Sequence, residues 1–191
     1  MPGRRVASAS VGSATSDCWS PLTAREDPVT ITVGDRIPDV PVRITVDGAP
    51  SPTTTAELLG SGRVVLFAVP GAFTPTCSRQ HLPSYVDSAA ELSAAGVDRI
   101  ACIAVNDPFV MEAWAASQGV GEEITMVSDG NGEFAEAIGM AVDASGAGLG
   151  TRSKRYAMVI EDGVVTTFLP EDDGFSAVAS LGSCVVDALK A

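Results

Sequence analysis

The sequence predicts an α/β fold: a mixed central sheet with helices on both faces. Three observations carry this expectation. The runs 63–69, 98–105 and 124–128 are short, apolar and rich in β-branched residues, as buried strands are. Helical stretches lie between them, the alternation that gives parallel strands with crossover helices. Late in the chain, Arg155–Leu169 reads as two strands joined at Glu161-Asp162-Gly163, a hairpin turn that adds antiparallel pairing.

Taken in order, Val29–Val33 and Val42–Val46 alternate in the strand manner, with a turn at Asp47-Gly48. Thr53–Leu59 reads as a short helix ended by Gly60. Arg63–Val69 is a buried strand stopped by Pro70-Gly71. A helix follows, with Thr74 as N-cap and Pro75 at its first position, and it should run to about Ala95 before Gly96. Pro83 falls inside it and should kink it. Asp98–Val105 is the next strand, Pro108–Gln118 a helix, Ile124–Ser128 a strand and Glu133–Met140 a short helix. Asp143–Gly150 is a Gly-rich loop, and Ser176–Lys190 is a closing amphipathic helix.

The chain has 191 residues, of which 46% are hydrophobic, enough for one domain with a sizeable core. That domain is expected over 29–191, with no internal repeat. Residues 1–28 are rich in Ser, Ala, Thr and Gly and lack hydrophobic periodicity. They form either an organellar transit segment or a flexible extension without a role. No apolar run approaches the roughly 18 residues of a membrane span. A net charge of −12 repels phosphate backbones, which argues against nucleic acid as a partner. Four cysteines do not make a disulfide scaffold, and no secretory h-region is present, so the expected compartment is reducing and intracellular. That means the cytosol, or a plastid or mitochondrion if residues 1–28 are a transit segment.

The chemistry centres on Pro70-Gly71-Ala72-Phe73-Thr74-Pro75-Thr76-Cys77. Cys77 would be the third residue of its helix, beside N–H groups without intrahelical partners and at the positive end of the helix dipole. A thiolate is stabilised there, and the thiolate is the reactive form of cysteine. By itself, a cysteine at this place is as readily a small core residue. His81, four residues on and the only histidine, would share a helical face with Cys77. That pair leaves a Cys-His acyl hydrolase open, although nothing in the sequence singles out a third group to orient the histidine. The cysteines and the histidine contain no C-x-x-C pair, which argues against zinc. Gly146-Ala147-Gly148-Leu149-Gly150 lacks the Lys-Ser/Thr of a phosphate-binding loop.

The stretch resembles the peroxiredoxins, whose P-x-x-x-T-x-x-C signature is matched by Pro70, Thr74 and Cys77. The string from Val69 to Ser78, with His81-Leu82-Pro83 after it, is similar to the type II (peroxiredoxin-5-like, atypical 2-Cys) branch. Two further blocks, Val105–Val110 and Gly150–Tyr156, extend the resemblance from about Thr32 to the C-terminus. The resemblance implies a thioredoxin-like fold and a thiol peroxidase that needs no metal, haem or flavin. Cys77 would attack hydrogen peroxide or an alkyl hydroperoxide and become a sulfenic acid. Thr74 would bond peroxide and sulfur, and Pro70 would shield the thiolate. Arg155, standing before an aromatic residue at the start of a late strand, would supply the fixed cation, with Arg152 supporting it. Both arginines are otherwise a solvated basic cluster with Lys154.

Three cysteines remain for resolving the sulfenic acid. Cys18 lies in the N-terminal extension, Cys184 on the apolar stripe of the last helix, and Cys102 in the strand after the Cys77 helix. Plant-type members of the branch carry a resolving cysteine at the place of Cys102; other members use an external thiol. Glutaredoxin or thioredoxin would reduce the product, and type II members commonly form homodimers through the active-site face. A redox sensor or holdase on the same fold is the alternative. The resemblance gives His81 a packing role, not that of a general base.

Overall fold

The structure, a computed structural model, describes residues 29–191. Its main sheet has seven strands in the order β2-β1-β5-β4-β3-β8-β9. These are β1 (Pro41–Val46), β2 (Ala49–Thr54), β3 (Arg63–Ala68), β4 (Arg99–Ala104), β5 (Ile124–Ser128), β8 (Tyr156–Glu161) and β9 (Val164–Pro170). The central trio β5-β4-β3 is parallel. Antiparallel pairs flank it on both sides. The sheet is therefore mixed, as the element order predicts.

Alternation along β3 divides the core in two. Val64, Leu66 and Ala68 face one layer with Ala101, Ile103, Phe134 and Ile138. Val65 and Phe67 face the other, with Val69, Cys77, Cys102, Tyr85, Trp114 and Val185. The first layer lies under α1 (Thr55–Leu59) and α4 (Glu133–Ala137). The second lies under α2 (Leu82–Ala94), α3 (Pro108–Gln118) and α5 (Gly182–Lys190). Period-two patterning with both faces apolar is what puts helices on both sides.

The hairpin turns fall where expected. Asp47-Gly48 and Asp162-Gly163 all have positive φ, the twist that matches the flanking strands. α3 and β5 have the predicted bounds. Several elements differ. Val29–Val33 pairs with no strand: only Ile31 turns inward, its N–H donating to Ile138 O, while Val29 and Val33 stay exposed. Ala49–Thr54, expected to be partly helix, is strand β2. It holds Pro50 and Pro52 because it is the sheet edge, where one side needs no ladder donors. The Gly-rich loop joins a small separate hairpin, β6 (Ala141–Asp143) and β7 (Thr151–Ser153). The last helix begins at Gly182, not Ser176. A Cβ at Gly182 would stand 2.5 Å from Ser84 O, so glycine is what lets α5 approach α2.

The segment expected to carry a Pro83 kink instead holds a π-helical turn, Cys77–His81, before α2 begins. Leu82 N–H reaches back five residues to Cys77 O. Pro83 has no N–H for Arg79 O, and its ring would press on that carbonyl in a regular α-helix. One wide turn absorbs the conflict. Among the described residues, no helix is long and apolar enough to cross a membrane.

Candidate active site

β3 delivers the chain through buried Pro70 into a tight turn. Thr74 N–H and Oγ1 both donate to Gly71 O, at 3.3 and 2.9 Å. Phe73, inside the turn, holds a left-handed φ of 62°, a conformation a bulky residue keeps only when its surroundings impose it. Asn106 imposes part of it, its Oδ1 accepting from Ala72 N–H at 3.0 Å. The chain then enters the helix at Pro75, and Cys77 sits two residues on, fully buried.

Arg155 meets it from the start of β8, as a guanidinium only 1% exposed. Each of its nitrogens is committed. Nη2 donates to Cys77 Sγ at 3.2 Å, Nη1 to His81 Nδ1 at 2.8 Å, and Nε to Phe175 O at 2.9 Å. The main chain adds Arg155 N–H to Gly174 O (2.7 Å) and Glu171 N–H to Arg155 O (3.1 Å). A buried cation so held is a preorganised donor, and one of its nitrogens is aimed at Cys77 Sγ.

His81 is buried beside the stacked rings of Phe67 and Tyr85, edge-on to both. Its Nε2 lies 2.9 Å from Ser180 O. Burial and the adjacent Arg155 charge push its pKa down to about 3, so the ring is neutral. Both nitrogens are engaged away from Cys77 Sγ, which removes the geometry a Cys-His hydrolase needs. Cys77 and His81 do share a face, as their i,i+4 spacing implies, but they meet through Arg155, which bonds both, and not directly.

The other expected site residues take these positions. Thr74 precedes the helix, but its hydroxyl donates back to Gly71 O; it bonds neither the helix N-terminus nor the sulfur. Arg152 does not brace Arg155. Its Nε and Nη1 donate to Leu149 O and Val105 O, and Nη1 lies 3.2 Å from where a Gly71 Cβ would stand. It therefore ties β7 and the end of β4 to the turn before Cys77. Cys102 is fully buried in the same core layer as Cys77. Burial, and Cys77 beside it, push its thiol pKa well up. Cys184 is no stripe residue: it is only partly covered and donates to Val178 O. Cys18 lies outside the described residues, as does the whole of 1–28.

The sequence reading missed three contributors. Asn106 clamps the active-site turn, although its motif was visible. Trp114 of α3 donates Nε1–H to Ser78 Oγ at 3.0 Å and so latches the π turn. The segment 171–180 wraps Arg155, with no signal in the sequence beyond its acidic, glycine-containing composition. Among the described residues, no group of three or more His, Cys, Asp and Glu could hold a metal ion.

Comparison with known proteins agrees with this geometry. The Redoxin family model matches residues 32–181. The chloroplastic peroxiredoxin-2E-2 of rice is 48% identical over 156 residues, covering 79% of this chain and 69% of that protein. The chloroplastic peroxiredoxin-2E of Arabidopsis thaliana is 43% identical, covering 98% of this chain and 78% of that protein. Among solved structures, reduced Prx3 from Vibrio vulnificus in complex with hydrogen peroxide has a TM-score of 0.80 at 44% identity, over 84% of this chain and 99% of that one. Peroxiredoxin 5 from Alvinella pompejana has a TM-score of 0.72 at 36% identity, covering 84% of this chain and 98% of that one. The fold is thioredoxin-like, and the chain belongs to the peroxiredoxins of the Redoxin family, on their type II, peroxiredoxin-5-like branch: it is a thiol-dependent peroxidase.

Proposed function

We propose that Cys77 is the peroxidatic residue and that Arg155 is the cation that activates it. The observation that carries this is the 3.2 Å donation from Arg155 Nη2 to Cys77 Sγ inside a buried pocket. The guanidinium is a fixed, charged donor to the attacking atom, and the thiolate is the reactive form of cysteine. The thiolate attacks one peroxide oxygen, an S–O bond forms and the O–O bond breaks. The departing oxygen takes a proton and leaves as water or alcohol; sulfur is oxidised and the peroxide reduced by two electrons. Arg155 stays in place to stabilise the charge on the leaving oxygen. Thr74, once its hydroxyl turns from Gly71 O, bonds the bound peroxide. Pro70 shields the sulfur from water, and Arg152 holds the turn's outer side.

Cys102 is the resolving thiol in this reading. It condenses with the Cys77 sulfenic acid, forming S–S and releasing water. The two thiols belong to one core layer, and the Cys77 turn unwinds to bring the Cα atoms within the ~7 Å that a disulfide allows. Glutaredoxin or thioredoxin then reduces the disulfide. The protein works as a homodimer joined at the active-site face, and residues 1–28 are a transit segment to a plastid. The chloroplastic relatives support the last point.

One experiment tests the core of this. Protein given one equivalent of hydrogen peroxide should lose two thiols and show a Cys77–Cys102 link on non-reducing peptide mapping. With excess thioredoxin or glutaredoxin it should cycle. A single equivalent consumed without cycling would instead identify a redox sensor. Cys77→Ser, nearly isosteric, should leave the fold and abolish consumption.

A further inference from the structure

Behind Cys77 and Arg155 stands one carboxylate, Glu171, just past the end of β9. It is only 7% exposed. Its Oε1 accepts three hydrogen bonds: from Val178 N–H at 2.8 Å, Ser180 N–H at 2.9 Å and Ser180 Oγ–H at 2.6 Å. Burial pushes this carboxyl up, but the Ser180 hydroxyl and the backbone donors outweigh it and hold it below its ordinary value. It is therefore an anion and can only accept.

The direction of every bond back to the site follows. Ser180 gives its hydroxyl proton to Glu171, so Ser180 Oγ can only accept from His81 Nε2, 3.2 Å away. Ser180 O, which already accepts from Tyr85 OH at 2.7 Å, also faces Nε2. With two acceptors before it, Nε2 carries the proton. Nδ1 is then bare and can accept from Arg155, whose guanidinium only donates. The chain runs one way, Arg155 to His81 to Ser180 to Glu171, and each donor points toward the carboxylate.

We propose that Glu171 is a positioning residue for the peroxidatic site: by holding the Ser180 N–H and hydroxyl it fixes the two Ser180 oxygens that accept from His81 Nε2, and so holds in place the ring whose bare Nδ1 keeps Arg155 against Cys77. The same residue also anchors the 171–180 segment to Arg155 through its main chain. The proposal rests on the reading of Cys77 as peroxidatic, and it predicts that the acceptor, more than the charge, is what matters.

Glu171→Ala and Glu171→Gln separate these terms. Two rates are measured: kcat/KM with hydrogen peroxide, and alkylation of Cys77 by iodoacetamide, followed on the Cys77 peptide by mass. Glu171→Ala should lower both by a factor between ~10 and ~10², as misplacement of a catalytic group does. Glu171→Gln, whose amide oxygen still accepts, should keep most of both. Wild-type rates in Glu171→Ala, or a Glu171→Gln variant as slow as the alanine, would overturn the relay. Should the alanine variant fail to fold, Ser180→Ala, which removes the hydroxyl between Glu171 and His81 and keeps the carbonyl, should slow both rates, and wild-type rates there would overturn the relay; ¹⁵N spectra of the wild-type protein test the bond directions. His81 is the only histidine, so its ring nitrogens need no assignment. They must show a neutral ring protonated at Nε2; an Nδ1–H tautomer or an imidazolium at neutral pH would refute the proposal. If wild-type protein consumed no peroxide, the reading of Cys77 would fall, while alkylation and the imidazole spectrum would still judge Glu171.

Discussion

At the scale of single residues, the two arginines of Arg152-Ser153-Lys154-Arg155 illustrate how far a motif reaches. The sequence places both beside the site, and the structure separates their duties. Arg155 touches the sulfur; Arg152 touches carbonyls of the surrounding loops. Arg155→Ala should cut the peroxide rate by ~10²–10³, the cost of losing a preorganised donor. Arg152→Ala should cost less, through loosening of the turn at Gly71, and the reverse order in stopped-flow rates would show the roles exchanged. His81 was harder to read, because its spacing suggests a direct pair with Cys77, whereas both turn to the same Arg155 guanidinium. Its neutrality has a thermodynamic consequence. Its pKa is about 3 in the fold against an ordinary 6.5, so between these values the unfolded chain binds a proton that the folded one refuses. Stability from this group is present above pH 6.5 and is lost as pH falls toward 3. Asp129 works the other way. Its carboxyl is raised by burial to about 6, so the folded chain gains stability as pH falls below that value. Comparison with His81→Gln isolates the histidine: between neutral pH and about pH 4.5, urea midpoints of the wild type should drop more than those of the variant. Equal drops would mean that His81 is protonated in the fold.

At the scale of elements, legibility followed burial. The strands β3, β4 and β5 and the helix α3 are continuous apolar or well-capped segments, and Asp107 caps α3 as its position before Pro108 implies. What escaped were elements whose partners, not their own residues, define them. β2 is a proline-bearing edge strand that exists because β1 offers it a ladder, and β6 and β7 are three residues each across a glycine loop. The π turn escaped for another reason: Pro83 announced a defect but not its form. That defect sits directly on Cys77, so the turn that the proposed disulfide would unwind already departs from regular α-helical bonding. Trp114 reports on it through its bond to Ser78. In a Trp19→Phe background, one equivalent of peroxide should change Trp114 emission, and Cys102→Ser should abolish the slower, disulfide-dependent part of that change. An emission trace identical in both proteins would mean that the turn stays wound when the sulfenic acid is resolved.

At the scale of the whole molecule, the distribution of apolar surface bears on assembly. Exposed Phe73, Phe109, Phe175 and Val178 belong to the segments that build the site: the turn before Cys77, the start of α3 and the strap around Arg155. Single exposed hydrophobes need no explanation, but several large ones on the segments of one site are candidates for a contact surface. The proposed homodimer covers them by placing two active-site faces together. Such an assembly would let a chain of net charge −12 associate. Contact through an uncharged aromatic patch avoids juxtaposing like charges, and salt should strengthen it by screening the remainder. Phe109 is the most exposed of the three aromatic rings, at 64%, and makes no contact with Cys77 or Arg155 that a substitution would disturb. Phe109→Glu should therefore shift the protein from dimer to monomer in sedimentation velocity, while secondary structure and thiol content stay unchanged. A wild-type protein that sediments as a monomer at all salt concentrations would refute the dimer. A Phe109→Glu variant that remains fully dimeric would place the contact on a different face.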